Sequence, residues 1–254
     1  MTSPLAGAMK AGLLLALVLA ATPAGAIVGG ARRADGIASS VVTIVGSRGN
    51  FCTGAVVAPR LVLTAAHCVV PGADYRIVDS SSGRLELRSV RRVAIHPGFN
   101  SQGMRQHRAS ADVALLQLDL PLVGRRPLAV GTPQTPVRAG SRFTIVGNGV
   151  TIRGDGKSGG VTRSAELVVT GQPGTWQIRL VDPATGGTRA GLSACTGDSG
   201  GPVFEVGGRT GIVGVVSWAV GANESAGCGG LTGVTPLTLY REWILQTMRE
   251  WGTS

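Results

Sequence analysis

The chain lacks several features that would place it in common protein classes. Aromatic residues make up only 4% of its 254 residues, and none interleaves with the paired arginines, which argues against a nucleic-acid-binding surface. After residue 26 no apolar run approaches the roughly 18 residues of a membrane span, so we expect no stable membrane anchor. No helical pattern of about ten residues separates the apolar runs, and this excludes a parallel βαβ fold.

Lysine is almost absent. The 24 basic residues include only two lysines, Lys10 and Lys157, and with 14 acidic residues the formal net charge is +10. The arginines are scattered along the chain, a distribution that predicts a solvated cationic surface and no nucleic-acid partner. The preference for arginine over lysine also suggests a GC-rich, bacterial genome as the source.

The one long apolar run lies at the N-terminus. Ala11–Ala21 follows Lys10 and is too short to span a bilayer, and the small residues Ala24–Ala26 close the segment. This pattern predicts a signal peptide over 1–26, with an uncleaved anchor as the alternative. We therefore expect an exported protein, extracellular or periplasmic, whose fold begins at Ile27.

Cysteine is also scarce, with four residues in the chain. In an exported protein four cysteines predict two disulfides, and of the three possible pairings the short gaps favour Cys52 with Cys68 and Cys195 with Cys228. Zinc is the alternative, but the adjacent pair His67 and Cys68 has no second pair of ligands at metal-binding spacing. We predict neither a metal nor a cofactor.

Short apolar and β-branched runs recur along the rest of the chain, separated by glycine and proline, of which the sequence has 40 and 13. Regular short strands with such turns predict an all-β antiparallel fold, a sandwich or a barrel. The runs are Val41–Val45, Gly54–Val57, Leu61–Thr64, Leu85–Ile95, Val113–Leu118, Phe143–Val146, Glu166–Val169 and Ile212–Trp218.

Prolines between residues 121 and 140 break the strand pattern, as a connection between two units would. We therefore expect a first unit over 27–134 and a second over 135–254, which together form one domain. Apolar residues at steps of three and four after Pro236 predict a C-terminal helix, and we expect it to pack on the second unit.

The densest chemical signal is CTGDSGGP at Cys195–Pro202. Glycines on either side of Ser199 allow sharp or left-handed backbone, which exposes the hydroxyl and aims backbone N–H groups at one point. A serine needs a base to act as a nucleophile. Of the three histidines, His67 follows an apolar strand, whereas His96 and His107 lie in polar sequence typical of exposed loops.

Asp112 supplies a third candidate group. It stands directly before an almost wholly apolar strand, where a buried carboxylate requires a partner such as an imidazole N–H. The alternatives are a purely structural His67 and a turn aspartate at the edge of a strand.

Together these stretches resemble the chymotrypsin/trypsin family of serine proteases. The motifs, in order, are IVGG from Ile27, TAAHC from Thr64, DVALL from Asp112, GDSGGP from Gly197, SW at Ser217–Trp218 and YREWI from Tyr240. The resemblance implies two antiparallel six-stranded β-barrels with the active site in the cleft between them, followed by the C-terminal α-helix. It also implies a monomer that acts on polypeptides and binds protein inhibitors.

The resemblance assigns roles to individual residues. Ser199 is the nucleophile, His67 the base and Asp112 the residue that orients the imidazole, and the N–H groups of Gly197 and Ser199 form the oxyanion hole. The freed amino group of Ile27 pairs with the carboxylate of Asp198. Signal cleavage after Ala26 would then activate the enzyme directly, whereas cleavage after Ala24 would leave a dipeptide to be removed.

Specificity is also implied by the resemblance. Ser193 stands where members that cleave after Lys or Arg have aspartate, and a neutral hydroxyl does not offset the desolvation of a buried cation. We therefore expect cleavage after apolar or aromatic residues and not after Arg or Lys, with Ala219 narrowing the pocket mouth and Glu224 close enough to reach the entrance. The full expected substrate-binding set is Ser193, Ser217, Trp218, Ala219 and Gly233.

Two residues near the site depart from the family pattern, because Asn148 replaces a usual tryptophan and Thr53 a usual glycine. Two other functions stay open. An inactive homologue would use the net charge of +10 as a cationic binding protein for anionic glycans or membranes, and an esterase would use the same triad on small esters.

Overall fold

Strands are the main regular secondary structure in the computed structural model, which describes residues 27–79, 83–105, 109–208 and 211–252. The signal peptide and His107 lie outside these residues. The strands are β1 Arg32–Arg33, β2 Val41–Gly46, β3 Phe51–Ala58, β4 Leu61–Thr64, β5 Tyr75–Asp79, β6 Glu86–Ile95, β7 Ala114–Leu118, β8 Ala129–Val130, β9 Arg142–Gly147, β10 Arg163–Val169, β11 Ile178–Val181, β12 Pro202–Glu205, β13 Gly211–Ile212, β14 Gly214–Gly221 and β15 Gly229–Pro236.

Helices are few and short. The α-helices are α1 Asp35–Ala38, α2 Ser101–Arg105 and α3 Arg241–Glu250, and 3-10 turns occupy Ala66–Val69, Gly156–Ser158 and Ala222–Glu224. Within the described ranges, no helix combines the length and the apolar character needed to cross a membrane.

The first barrel closes in the strand order β2-β3-β4-β7-β6-β5, with β5 pairing back onto β2. All of its pairings are antiparallel. Successive residues of β7 face opposite sides, so Leu116 fills the barrel interior while Leu115 belongs to a separate cluster outside it. Both faces of this strand are buried, which explains why four of its five residues are apolar.

The second barrel contains β9, β10, β11, β15, β14 and β12, and the pairing of β10 with β9 closes it. Its interior holds large buried side chains such as Phe143, Ile145 and Leu167. The predicted fold of two six-stranded antiparallel barrels is therefore confirmed. The short strand β1, which the sequence placed with the first unit, instead adds to the edge of β10.

The C-terminal helix is present, but its predicted position on the second barrel is wrong. Tyr240, Ile244 and Met248 pack in a cluster supplied largely by β3, β4 and β7 of the first barrel. The reason is the two-sided burial of those strands, since outward residues such as Leu63 and Leu115 need an apolar cover. The helix thus ties the end of the chain to the first barrel.

His96 also differs from its predicted environment. It is half-buried, and its ring lies edge-on to Tyr240 and Trp243 with centroid distances of 4.9 and 5.0 Å. Burial lowers the pKa of the imidazole. His96 is a packing residue beneath the C-terminal helix.

Two disulfides brace the structure near the cleft. Cys52 is joined to Cys68 with a Cα–Cα distance of 6.1 Å, and Cys195 to Cys228 with a Cα–Cα distance of 5.2 Å. Each bond fixes a segment beside one of the predicted catalytic residues, because Cys68 follows His67 and Cys195 begins the loop of Ser199.

Candidate active site

Strand pairing brings His67 and Asp112 together. Thr64 at the end of β4 lies opposite Ala114 at the start of β7, so the residues just beyond these two ends emerge at the same edge of the first barrel. His67 sits in the 3-10 turn after β4, and Asp112 lies two residues before β7.

The carboxylate of Asp112 is 2% exposed and accepts three hydrogen bonds. The Nδ1 atom of His67 lies 2.8 Å from Oδ2, the backbone N–H of His67 donates to Oδ1 at 2.9 Å, and Ser217 Oγ donates to Oδ2 at 2.5 Å. Burial raises the pKa of Asp112, but the charge of His67 and these hydrogen bonds outweigh it, and the pKa lies below its usual value. An ionised Asp112 keeps the proton of His67 on Nδ1 and leaves Nε2 as an acceptor.

Ser199 reaches the same cleft from the second barrel. Its hydroxyl lies 3.5 Å from the carbonyl oxygen of Ser217, and in the described residues it makes no hydrogen bond to His67. The Nε2 atom of His67 lies 3.8 Å from the sulfur of Cys68. Hydrogen bonds between catalytic groups are often long before substrate binds and shorten in the complex.

The loop that carries Ser199 leaves two backbone donors unused. Neither the N–H of Gly197 nor that of Ser199 donates to another group within the described ranges. Gly197 has a φ of +93°, and a Cβ there would lie 2.0 Å from the ring of Phe51. Glycine is therefore required at this position, for its backbone conformation and for the close approach of the ring.

Asp198 lies between these two donors and is fully buried, with 0% exposure. Its carboxylate accepts the N–H groups of Gly149 and Cys195, each at 2.8 Å. Burial raises the pKa of Asp198 to about 7, against the lowering effect of those two hydrogen bonds. The described residues include no cation paired with it.

The N-terminal segment is inserted close to this loop. Ile27 is 0% exposed and shares a core cluster with Ala194, and Val28 forms an antiparallel bridge with Ser193. Gly29 follows with a φ of +89°, where a Cβ would lie 2.5 Å from the backbone of Gly191. The IVGG motif is thus packed against the second barrel, next to the segment 191–194 that leads to Cys195.

A pocket of about 260 Å³ opens beside Ser199. Trp218 and Ala219 of the predicted substrate-binding residues line it, together with Arg153, Ala194, Cys195 and Gly227. Arg153 was not among the predicted site residues, because the sequence of a glycine-rich loop does not indicate where its side chains point. Its guanidinium donates to the carbonyl oxygen of Ala226 at 3.3 Å, which holds a positive charge at the pocket.

Four other predicted residues are not part of the pocket lining, namely Ser217, whose hydroxyl donates to Asp112, and Ser193, Gly233 and Glu224. Ser193 is 0% exposed, and its hydroxyl donates to Ala194 O at 2.6 Å and accepts the N–H of Gly229 at 2.9 Å. A Cβ on Gly233 would lie 2.1 Å from the indole of Trp218, so the indole covers this glycine. Glu224 lines a different pocket, outside the cleft.

One group of possible metal ligands occurs in the described part of the chain, formed by Cys52, His67 and Cys68. The two sulfurs are bonded to each other, so neither is a thiolate that could bind zinc. His67 in turn directs Nδ1 to Asp112. The group fits a disulfide beside a histidine that is paired with Asp112 better than a metal site.

The profile of the family described as Trypsin matches residues 27–244. The chain belongs to the trypsin family. Serine protease SP24D of Anopheles gambiae is 32% identical over 245 residues, covering 89% of this chain and 82% of that protein. Coagulation factor IX of Cavia porcellus is 28% identical over 246 residues, covering 85% and 80% of the two chains.

Solved structures agree with the barrel fold. The atomic-resolution structure of HBP has a TM-score of 0.67 and 24% identity, covering 87% of this chain and 97% of that one. The predicted serine-type endopeptidase of the trypsin family is confirmed by the family match and the relatives. The relatives named here are animal proteins, which gives no support to the predicted bacterial source.

Proposed function

We propose that the protein is an exported endopeptidase that cleaves after apolar or aromatic residues through a triad of His67, Asp112 and Ser199. The observation that carries the proposal is the buried carboxylate of Asp112, which receives both a side-chain and a backbone hydrogen bond from His67. Such an arrangement fixes the ring and its tautomer, the requirement for a histidine that accepts a proton from serine.

In the first half of the proposed reaction Ser199 Oγ attacks the carbonyl carbon of the scissile bond and Nε2 of His67 takes its proton. The oxyanion accepts hydrogen bonds from the unused N–H groups of Gly197 and Ser199. Each such donor contributes about 3 to 4 kcal/mol to transition-state stabilisation in other enzymes. The intermediate then expels the amine, which takes the proton from Nε2, and leaves an acyl ester on Ser199.

In the second half a water molecule attacks the ester carbonyl and gives a proton to Nε2 of His67. The tetrahedral intermediate collapses, Ser199 Oγ regains the proton as leaving group, and the carboxylic acid product departs. Asp112 keeps its negative charge throughout and stabilises the imidazolium that forms in each half.

The pocket supports the proposed specificity. Within its described lining the one charged side chain is Arg153, which repels a substrate Arg or Lys. The hydroxyl of Ser193 is engaged by protein groups behind the wall and offers a cation no charge. The modest volume and the methyl of Ala219 at the mouth favour medium-sized apolar side chains over large ones.

Activation is proposed to depend on the cut before Ile27. The amino group released there would supply the cation that the buried carboxylate of Asp198 lacks. Losing one partner of a buried ion pair costs about 3 to 5 kcal/mol, so a chain with one extra residue keeps the triad but does not form the oxyanion hole. Ala24–Ala26 abuts Ile27, and a signal-peptidase cut after Ala26 makes export itself the activating step.

Digestion of a peptide library by the exported protein tests this function. We expect cleavage after residues such as Leu, Met, Phe or Tyr, abolished in Ser199→Ala. Predominant cleavage after Arg or Lys would refute the proposed specificity. Binding to an anionic glycan with no peptide cleavage would favour the cationic binding protein, and hydrolysis of small esters alone would favour an esterase.

A further inference from the structure

Thr53 connects the first barrel to the loop of the oxyanion hole. It lies in β3, is 0% exposed, and makes two hydrogen bonds to the loop of the second barrel. Its backbone N–H donates to the carbonyl oxygen of Ser199 at 2.8 Å, and its hydroxyl donates to that of Gly197 at 2.7 Å. Thr53 thus holds the carbonyl groups of the same two residues whose N–H groups form the hole.

The carbonyl that accepts from the Thr53 hydroxyl lies between the two oxyanion donors along the chain. The two oxyanion donors belong to the peptide units 196–197 and 198–199, and the carbonyl that Thr53 binds belongs to the unit between them. Gly197 has no side chain to restrain it and a φ of +93°, so rotation of this middle unit would change the angle between the two donors. The bond from Thr53 opposes that rotation.

Asn148 sets the direction of the Thr53 hydroxyl. Its backbone N–H donates to Thr53 Oγ1 at 3.0 Å, and because this uses an acceptor lone pair, the hydroxyl proton is left for Gly197. The side chain of Asn148 donates to Thr43 Oγ1 at 3.1 Å and accepts from Thr162 Oγ1 at 2.8 Å. Asn148 therefore links β2 of the first barrel to the segment before β10 of the second.

Thr53 and Asn148 are also two of the positions at which the sequence departs from the family pattern near the site. The departures lie in direct contact. A glycine at position 53 has no hydroxyl, so the bond to the carbonyl of Gly197 depends on the residue that this chain has there. The hydrogen bond from the Thr53 hydroxyl to Gly197 is therefore specific to this sequence.

We propose that Thr53 is a positioning residue that holds the oxyanion hole in its productive shape from the opposite barrel, with Asn148 orienting its hydroxyl. This inference rests on the proposed function of the site. Thr53 touches neither substrate nor the reacting atoms. Loss of its hydroxyl therefore affects the transition state through the orientation of the Gly197 and Ser199 donors. Ground-state binding in the pocket is unaffected.

The decisive variant is Thr53→Val, which keeps the shape and removes the hydroxyl. Removing an oxyanion donor outright costs about 10²- to 10³-fold in kcat, and misorienting it should cost less, on the order of tenfold, with KM unchanged. Thr53→Ser should restore kcat to within about twofold, since serine keeps the hydroxyl. Asn148→Ala keeps the backbone N–H that donates to Thr53 Oγ1 and should therefore leave kcat within about twofold of the wild type.

A matched control is Thr247→Val in α3. Thr247 is also a buried threonine whose hydroxyl donates to one backbone carbonyl, that of Trp243 at 2.8 Å, but it lies far from the loop in the fold. This variant should lose a similar amount of thermal stability and retain the wild-type kcat. The comparison separates the cost of a lost buried hydrogen bond from an effect on the hole.

The test measures kcat and KM on a peptide substrate and the inhibition constant of a peptidyl trifluoromethyl ketone, whose adduct places an oxyanion in the hole. We expect the inhibition constant of Thr53→Val to rise in proportion to its loss of kcat. Wild-type kcat in Thr53→Val, or an equal loss of kcat in Thr53→Ser and Thr247→Val, would overturn the role of Thr53. A wild-type protein that cleaves no peptide would overturn the proposed function itself, and Thr53's role with it.

Discussion

Two buried aspartates flank the catalytic cleft, and their surroundings are opposite. Asp112 is paired with His67 and its pKa lies below the usual value. Among the described residues the carboxylate of Asp198 has two backbone N–H partners and no side-chain partner, and its pKa is raised to about 7. Both are almost inaccessible to solvent, so the partner, and not the burial, determines the charge state. The first barrel carries a complete carboxylate–imidazole pair, and the second carries a half-formed pair whose carboxylate has no side-chain partner among the described residues.

Asp112→Asn breaks the complete pair and should have the largest effect. An amide at this position offers an N–H₂ group to His67, which stabilises the wrong tautomer, so we expect kcat to fall about 10⁴-fold. Steady-state kinetics on a peptide substrate measure the loss. Ser217→Ala serves as the control, because it removes one hydrogen bond to the same carboxylate and should cost roughly tenfold or less.

Asp198→Asn tests the half-formed pair. The carboxylate is lost while the triad stays intact, and a loss of about 3 to 5 kcal/mol corresponds to a fall of about 10²- to 4 × 10³-fold in kcat/KM. Asp79→Asn is a matched control, since Asp79 is a buried aspartate paired with Arg125 at 3.0 Å and remote from the cleft. Equal activity losses in the two variants would show that Asp198 acts only through general stability.

The pH dependence of folding should differ between the two aspartates. In a form that retains Ala26, the protonated carboxyl of Asp198 stabilises the folded state. This contribution is fully present below the unfolded pKa of about 4 and is lost as the pH rises through the folded pKa of about 7. The shift in the pKa of Asp198 sets an upper limit of about 4 kcal/mol on this contribution to the free energy of unfolding. The lowered pKa of Asp112 has the opposite sign, because its stability is present above the unfolded pKa and is lost on acidification.

Denaturant unfolding of the Ala26-retaining form at pH 5 to 8, in a Ser199→Ala background that prevents self-cleavage, measures this difference. We expect the free energy of unfolding to decline across that range, and Asp198→Asn to flatten the decline. A flat profile in the unsubstituted form would contradict an unpaired buried carboxylate at position 198.

Arg153→Gln should have the smallest effect and concerns the pocket beside the two aspartates. Arg153 is exposed, so its charge is screened, and kcat/KM for a substrate with Arg before the scissile bond should rise only about threefold. The same measurement with a Leu substrate should not change. Arg138→Gln, which removes an exposed arginine outside the pocket lining, should alter neither value.

The sequence sufficed for the fold class and for the candidate residues of the cleft, because glycine-flanked Ser199 and the apolar strand after Asp112 are strong local signals. It did not reveal strands such as β11 and β15, whose residues are too few or too rich in glycine to give a β-branched run. It also misplaced the C-terminal helix. Periodicity identifies an apolar face, but the partner of that face depends on the tertiary fold.

Residues that act through contacts were the hardest to predict. Arg153 and the link from Thr53 to Gly197 join segments far apart in the chain, and no local pattern announces such contacts. Ser193 and Gly233 were assigned to the pocket by similarity. The hydroxyl of Ser193 is instead turned to protein groups, and Gly233 is covered by the indole of Trp218.

The most direct test of the account is mass spectrometry of the protein after reaction with a peptidyl phosphonate that carries an apolar residue next to phosphorus. For the form that begins at Ile27 we predict one adduct per chain on Ser199, absent in Ser199→Ala and formed at least about 100-fold more slowly when Ala26 is retained. An adduct on another residue, no adduct, or equal rates in the two forms would contradict the account.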